Sequence, residues 1–194
     1  MAKFARPPSV ADRMLAVRGL VCDVDGVLTD GKLNYLGSEE FKSFSVLDGF
    51  GITLAKQAGW KVAFLTARGG PAVERRATEL GVELVSGERN KGSGFSKICA
   101  GWDVPLSQVA YIGDDWLDLP AMLLAGLAAT VPNAAAAVRQ RAHWLSTLEG
   151  GNGAVRELVE AILRIQGRLD ELLKPYLTLP TTPSVATAPT DGGA

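Results

Sequence analysis

The chain has 194 residues, 47% of them hydrophobic and 21% charged, which suits one globular domain with a full core and a little chain to spare. Its 20 basic and 21 acidic residues leave a net charge of −1, so no overall field draws it to nucleic acid or an anionic membrane, and an anionic substrate must be held by a local site. Its 2 cysteines make no disulfide framework, and no stretch approaches the roughly 18 apolar residues of a membrane span, so the expectation is a cytoplasmic protein.

Residues 1–17 lack a long apolar run and read as an N-terminal extension to a domain over 18–174. An apolar run predicts the first strand over 20–25. Residues 31–46 then alternate around Leu36-Gly37-Ser38, which predicts a β-hairpin placed directly after that strand. Helical spacing follows over 50–58, a strand over 61–66, a helix over 71–80 opened by Pro71, and a strand over 82–85. The alternation continues with a helix over 95–100, a strand over 109–113, a helix over 117–125 with Pro120 near its start, and a strand over 127–131. A helix over 134–141, a strand over 143–146 and an amphipathic helix over 154–166, running on towards Leu173, close the domain. From Pro175 the chain is rich in Pro, Thr and Ala without an apolar period, which predicts a disordered tail over 175–194. Strands alternating with helices predict a Rossmann-like, doubly wound α/β fold with a mostly parallel sheet.

Two groups of carboxylates stand at strand ends. In Asp23-Val24-Asp25-Gly26-Val27-Leu28-Thr29 an apolar strand gives way to a glycine turn, and strand geometry places both carboxylates on one face, at the edge where open parallel sheets bind ligands. Carboxylates so close repel unless a cation lies between them or one holds a proton. Either remedy serves phosphoryl transfer: an ionised Asp attacks phosphorus, while a protonated one donates to the leaving oxygen and then takes a proton from water. A calcium loop is the competing reading, but the run from Asp23 to Asn34 lacks the acidic twelfth position and follows a strand. The second group, Asp114 and Asp115 after Tyr111-Ile112-Gly113, is followed by Asp118. Hard oxygen ligands suit Mg²⁺, with Asp114 the first choice, while Asp115 and Asp118 suit either the site or the cap of the helix near Leu117. Thr66, ending one strand, and Lys91, ahead of another helix, supply a hydroxyl and an ammonium for phosphate.

The order Asp23/Asp25, Thr66, Lys91, Asp114/Asp115 resembles the four motifs of the haloacid dehalogenase superfamily, over roughly residues 20–166. The resemblance implies a Mg²⁺-dependent phosphatase. Asp23 is then the residue phosphorylated in the covalent intermediate, and Asp25 the acid/base whose backbone carbonyl also reaches the metal. It makes Asp23, Asp25 and Asp114 the metal site, gives Thr66 and Lys91 the phosphate, and leaves Asp115 and Asp118 to support them. Larger members carry a cap domain after the first motif or between the second and third; here those intervals hold a hairpin, and one helix with one strand, so no cap is expected. Closure of the site then falls to a neighbouring subunit.

Phe41-Lys42-Ser43-Phe44, Asp48-Gly49-Phe50-Gly51 and Gly150-Gly151-Asn152-Gly153-Ala154-Val155-Arg156-Glu157, together with the two acidic motifs, resemble the capless 3-deoxy-D-manno-octulosonate 8-phosphate phosphatases. That implies a small phosphorylated sugar acid as substrate, a homotetramer with shared active sites, and a glycine-rich segment that helps enclose the substrate. Lys42, Arg68, Arg76 and Arg156 are the candidates for contacting the sugar acid. One departure is Leu47, where the subfamily usually has Arg, which brings nine-carbon sialic-acid-type 9-phosphates in as the alternative substrate. A receiver domain uses similar residues in a different order, with its phosphoacceptor on a middle strand; a non-catalytic assembly module would be expected to have lost one of the groups named above.

Overall fold

The structure, a computed structural model, describes residues 7–178. In chain order the strands are β1 (Gly19–Cys22), β2 (Asn34–Leu36), β3 (Glu39–Phe41), β4 (Lys61–Thr66), β5 (Glu83–Ser86), β6 (Val109–Ile112), β7 (Leu127–Thr130) and β8 (Trp144–Leu145). Six form a parallel sheet in the order β5-β4-β1-β6-β7-β8, while β2 and β3 pair antiparallel as a separate hairpin flap. Every residue of β1, β6 and β7 is buried, the near-continuous apolar pattern of strands covered on both faces by helices. This is the doubly wound α/β fold expected, with the flap directly after β1.

The helices are α1 (Val10–Ala16), α2 (Val46–Gln57), α3 (Pro71–Leu80), α4 (Lys91–Trp102), α5 (Leu119–Leu124), α6 (Ala136–Arg139), α7 (Ala154–Ile165) and α8 (Leu169–Leu177). Helix α7 buries Val155, Leu158, Val159, Ile162 and Leu163 along one stripe and packs against α2. Each such side chain contributes about 1.5–3 kcal/mol of burial, so α7 is integral to the core. Among the described residues no helix is long and apolar enough to cross a membrane.

Several boundaries differ from the sequence reading. Strand β1 stops at Cys22 and β6 at Ile112, before the acidic motifs. Helix α2 starts at Val46, four residues ahead of the apolar spacing, because the Ser45 side chain accepts a hydrogen bond from the Leu47 N–H and caps it. Lys91 is the first residue of α4, capped by Asn90, although Gly92 and Gly94 interrupt its apolar pattern. Residues 10–16, read as part of an extension, form α1, opened by a capping box between Ser9 and Asp12. Gln166 donates to the carbonyls of Met14 and Val17 and ties the end of this helix to the domain. At the other end Pro175 lies inside α8, and Tyr176 meets Phe50 edge to face with centroids 5.4 Å apart. The predicted tail therefore does not begin at residue 175; its stretch over 179–194 lies outside the described residues.

Candidate active site

The acidic turn leaves the sheet immediately after β1. The Asp23 N–H still bonds to the Ile112 carbonyl at 3.0 Å, and then the N–H groups of Val27, Leu28 and Thr29 all converge on the Val24 carbonyl. Gly26 takes φ +89°, and a Cβ there would lie 2.0 Å from Asp114 Oδ2, so only glycine lets the two acidic loops approach. The strand has ended by this turn, yet Asp23 and Asp25 still line one cavity, each with different partners.

Asp23 Oδ1 lies 2.7 Å from Lys91 Nζ and accepts from the Val24 N–H at 2.7 Å. Lys91 Nζ also donates to Asp118 Oδ1 at 2.6 Å. Asp118 is wholly buried and accepts four hydrogen bonds: Lys91 and the Tyr111 hydroxyl on Oδ1, the N–H groups of Asp114 and Asp115 on Oδ2. With both oxygens occupied, it anchors Lys91 and the second acidic loop. Asp115 caps the 3₁₀ turn Trp116–Asp118 through the Trp116 N–H. Burial, with Asp118 next, pushes the Asp23 carboxyl well above the usual carboxylate range against the pull of Lys91. Burial and Asp118 push Asp114 up to about 7. Burial opposes the charge on Lys91, but Asp23 and Asp118 outweigh it and hold its pKa raised.

Asp25 faces the flap. Its Oδ1 accepts from Lys42 Nζ, which also meets Glu40 at 3.0 Å, while Arg68 reaches Glu40 at 2.8 Å and lies 3.9 Å from Asp25 Oδ2. That Oδ2 is buried without a hydrogen-bond partner among the described residues, leaving capacity that a ligand can satisfy. Thr66 stands at the end of β4, its hydroxyl accepting from the Arg68 N–H at 3.1 Å. Asp23, Asp25, Thr66, Arg68, Arg89, Lys91, Asp114, Asp115 and Asp118 all line one cavity of about 340 Å³ at the carboxyl edge of the sheet.

Carboxylate oxygens of Asp23, Asp114 and Asp118 lie within 4.8 Å of one another. An all-oxygen donor set, crowded enough to hold two carboxyls protonated above their normal range, fits a hard divalent cation such as Mg²⁺. Asp118 is committed to its four donors, so Asp23 and Asp114 are the carboxylates free to hold it. The Asp25 side chain lies outside this cluster, on Lys42, which leaves only its backbone carbonyl for the metal.

The chain matches a family of haloacid dehalogenase-like hydrolases over residues 72–158. It is 41% identical over 167 residues to the 3-deoxy-D-manno-octulosonate 8-phosphate phosphatase KdsC of Salmonella typhimurium, covering 84% of this chain and 88% of that protein. The chain belongs to the haloacid dehalogenase-like hydrolases. Among solved structures of such hydrolases, the 3-deoxy-D-manno-octulosonate 8-phosphate phosphatase of Moraxella catarrhalis, in complex with magnesium, phosphate and KDO, is 36% identical, with a TM-score of 0.84 over 86% of this chain and 97% of that one. The cobalt-bound phosphatase of Haemophilus influenzae is also 36% identical, with a TM-score of 0.79 over 81% and 93% of the two chains.

Two predicted substrate residues of this haloacid dehalogenase-like hydrolase, Arg76 and Arg156, do not line this cavity. Arg76 donates to the Ser45 carbonyl at 3.2 Å and covers Phe44. Arg156 pairs with Glu160 and lies 4.8 Å over the Phe50 ring. Lys42 and Arg68 do border the site. Sequence reasoning named Asp48 only within a motif, without a role, and did not single out Asn133 or Arg89. Asp48, almost fully buried, accepts the N–H groups of Gly153 and Arg156 at 3.2 and 3.1 Å and so caps α7 from a distant helix. Asn133 donates to the Gly26 carbonyl at 3.0 Å and accepts from the Gly150 N–H at 2.8 Å, fastening the glycine-rich segment to the acidic turn after β1. Arg89, the third, borders the cavity itself.

The contact between segment and turn is backbone on backbone. A Cβ at Gly150 would fall 1.8 Å from the Gly26 carbonyl oxygen, and neither chain can yield without displacing the other. Gly150→Ala is expected to lower the melting temperature and to cut turnover through the displaced Asp25, read by thermal unfolding and phosphate release on the same sample. A variant with wild-type values for both would show that the segment carries no strain into the turn.

Proposed function

We propose that this chain hydrolyses 3-deoxy-D-manno-octulosonate 8-phosphate to 3-deoxy-D-manno-octulosonate and phosphate, with Mg²⁺ as cofactor. The observation that carries the reading is the buried pair of Asp23 and Lys91 facing Asp114 across one small cavity, in a chain 41% identical to a phosphatase of that substrate.

Asp23, its charge balanced by Lys91, attacks phosphorus and forms the aspartyl phosphate. Asp25 gives its proton to the departing sugar oxygen and later takes one from the water that opens the intermediate. Thr66 and Lys91 hold the phosphoryl oxygens. Mg²⁺ held by Asp23, Asp114 and the Asp25 carbonyl supplies positive charge for the oxygens of the transferring group. Chelation with EDTA is expected to abolish phosphate release and added Mg²⁺ to restore it. Mg²⁺ is also expected to raise the melting temperature of the stripped protein by several degrees through linkage, and Asp114→Asn to lose that rise; an unchanged rise in Asp114→Asn would remove Asp114 from the metal site.

Leu47, half-exposed at the start of α2, favours testing a second substrate, a nine-carbon sialic-acid-type 9-phosphate. Comparing kcat/KM for the two sugar acid phosphates decides between them, and a preference for the nine-carbon ester overturns the octulosonate reading. Shared active sites in a cytoplasmic homotetramer complete the proposal. The flap supports an assembly, since Tyr35, Leu36 and Phe41 are 60%, 77% and 50% exposed on a two-stranded ribbon that needs a partner to cover its apolar side chains. Sedimentation at micromolar and nanomolar protein, with activity read in parallel, tests it; a fully active monomer contradicts the shared site.

A further inference from the structure

The cavity has more acid than base, and nearly all the base is spoken for. Lys91 is held between Asp23 and Asp118, Lys42 between Asp25 and Glu40, and Arg68 is paired with Glu40. Arg89 alone of the cationic lining residues has no ion pair or hydrogen bond from its side chain among the described residues.

Its backbone is nonetheless fixed on both sides. The Glu88 N–H docks on the Thr66 carbonyl at 3.1 Å, placing this turn at the end of β4 beside the phosphate hydroxyl. The Glu88 carboxylate accepts from the Asn90 N–H at 2.8 Å, holding the turn around Arg89, and Asn90 caps α4 through the Ser93 N–H at 3.1 Å. A rigid turn therefore presents an uncommitted guanidinium at the rim of a site whose substrate carries two anionic groups. Lys91, Thr66 and the cation site account for the phosphate. The remaining anion is the carboxylate of the sugar acid, and a planar guanidinium fork matches a carboxylate through two parallel hydrogen bonds.

We propose that Arg89 is the specificity-determining residue that binds the carboxylate of the sugar acid. The proposal rests on the phosphatase reading above and extends it to the end of the substrate away from the phosphate. The test uses the full-length protein with Mg²⁺ and three esters: 3-deoxy-D-manno-octulosonate 8-phosphate, D-arabinose 5-phosphate, which lacks a carboxylate, and p-nitrophenyl phosphate. Arg89→Ala is expected to raise KM for the octulosonate ester by about 10- to 100-fold, the scale of a lost charge-assisted contact, with kcat nearly unchanged. KM for the two carboxylate-free esters should stay near wild type, and Arg89→Lys should recover part of the loss. Free 3-deoxy-D-manno-octulosonate, competing against p-nitrophenyl phosphate, should inhibit Arg89→Ala more weakly by a similar factor. A wild type that prefers the octulosonate ester, with a variant that keeps the preference or loses equally on all three esters, overturns the role of Arg89 alone. A wild type with no preference for the acid overturns the substrate reading and this proposal with it.

Discussion

Asp23→Asn is expected to lose turnover by at least about 10³-fold, the scale on which removing an acting nucleophile costs an enzyme, while melting no lower than wild type. The two effects have one cause. Burial and the neighbouring Asp118 raise the Asp23 pKa in the fold, so its ionisation is harder there than in the unfolded chain. A carboxyl raised in this way contributes stability below its unfolded pKa and loses it as pH rises through the folded value. Near neutral pH, without metal, the wild type carries that penalty and the amide does not. Lys91 keeps a counter-ion in either case, because Asp118 remains 2.6 Å from it. Phosphate release and thermal unfolding in EDTA at pH 5 and pH 8 read both effects, and the stability advantage of the variant should grow towards pH 8. Turnover within about tenfold of wild type would remove Asp23 as the nucleophile; a strongly lowered melting temperature would show that the Asp23–Lys91 pair stabilises the resting fold more than burial of the charge costs it.

What could be read from the chain beforehand divides by the sequence distance between interacting groups. The strand ends announce themselves, because an apolar run followed by Asp-Val-Asp-Gly or Gly-Asp-Asp is a local pattern, and parallel topology then brings β1, β4 and β6 side by side with Asp23, Thr66 and Asp114 at one edge. The turn after β1 was less legible. Alternation along a strand puts Asp23 and Asp25 at one site, but three N–H groups gathered on the Val24 carbonyl make a turn there and give the two carboxylates different partners, Lys91 and Lys42. Helix α1 has only Met14 buried, too little for a period to show, although Ser9 and Asp12 spell its capping box. The roles of Asp48 and Asn133 were invisible for a different reason: their partners lie 105 and 107 residues away, and no local spacing encodes such a bond. Arg76 and Arg156 illustrate the converse, since a basic residue near a motif carries no sign of which way its side chain will turn.

Lys91→Met is the substitution expected to cost the most stability. Lys91 has 3% of its side chain exposed and lies between two carboxylates whose own side chains are 8% and 0% exposed. The apolar replacement fills similar space but strands both charges, and breaking a buried pair by removing one partner costs about 3–5 kcal/mol. For a domain of this size that is a fall of about 6–20 °C in melting temperature. The pH dependence has a defined sign. Lys91, raised by its neighbours, contributes stability that stays constant through neutral pH in the wild type and is lost only as pH rises through its folded pKa. In the variant, lowering the pH protonates Asp23, already held high, and removes one of the stranded charges. The gap between variant and wild type should therefore narrow from pH 8 to pH 5. Adding Asp23→Asn to Lys91→Met should restore part of the lost stability, so that the double variant melts above Lys91→Met alone and the two changes are strongly non-additive. Phosphate release should be lost in both, because the phosphoryl oxygens no longer meet an ammonium. Additive losses with a gap independent of pH would mean that the carboxylates find other compensation on unpairing, and that the cation at residue 91 serves the substrate without holding the resting site together.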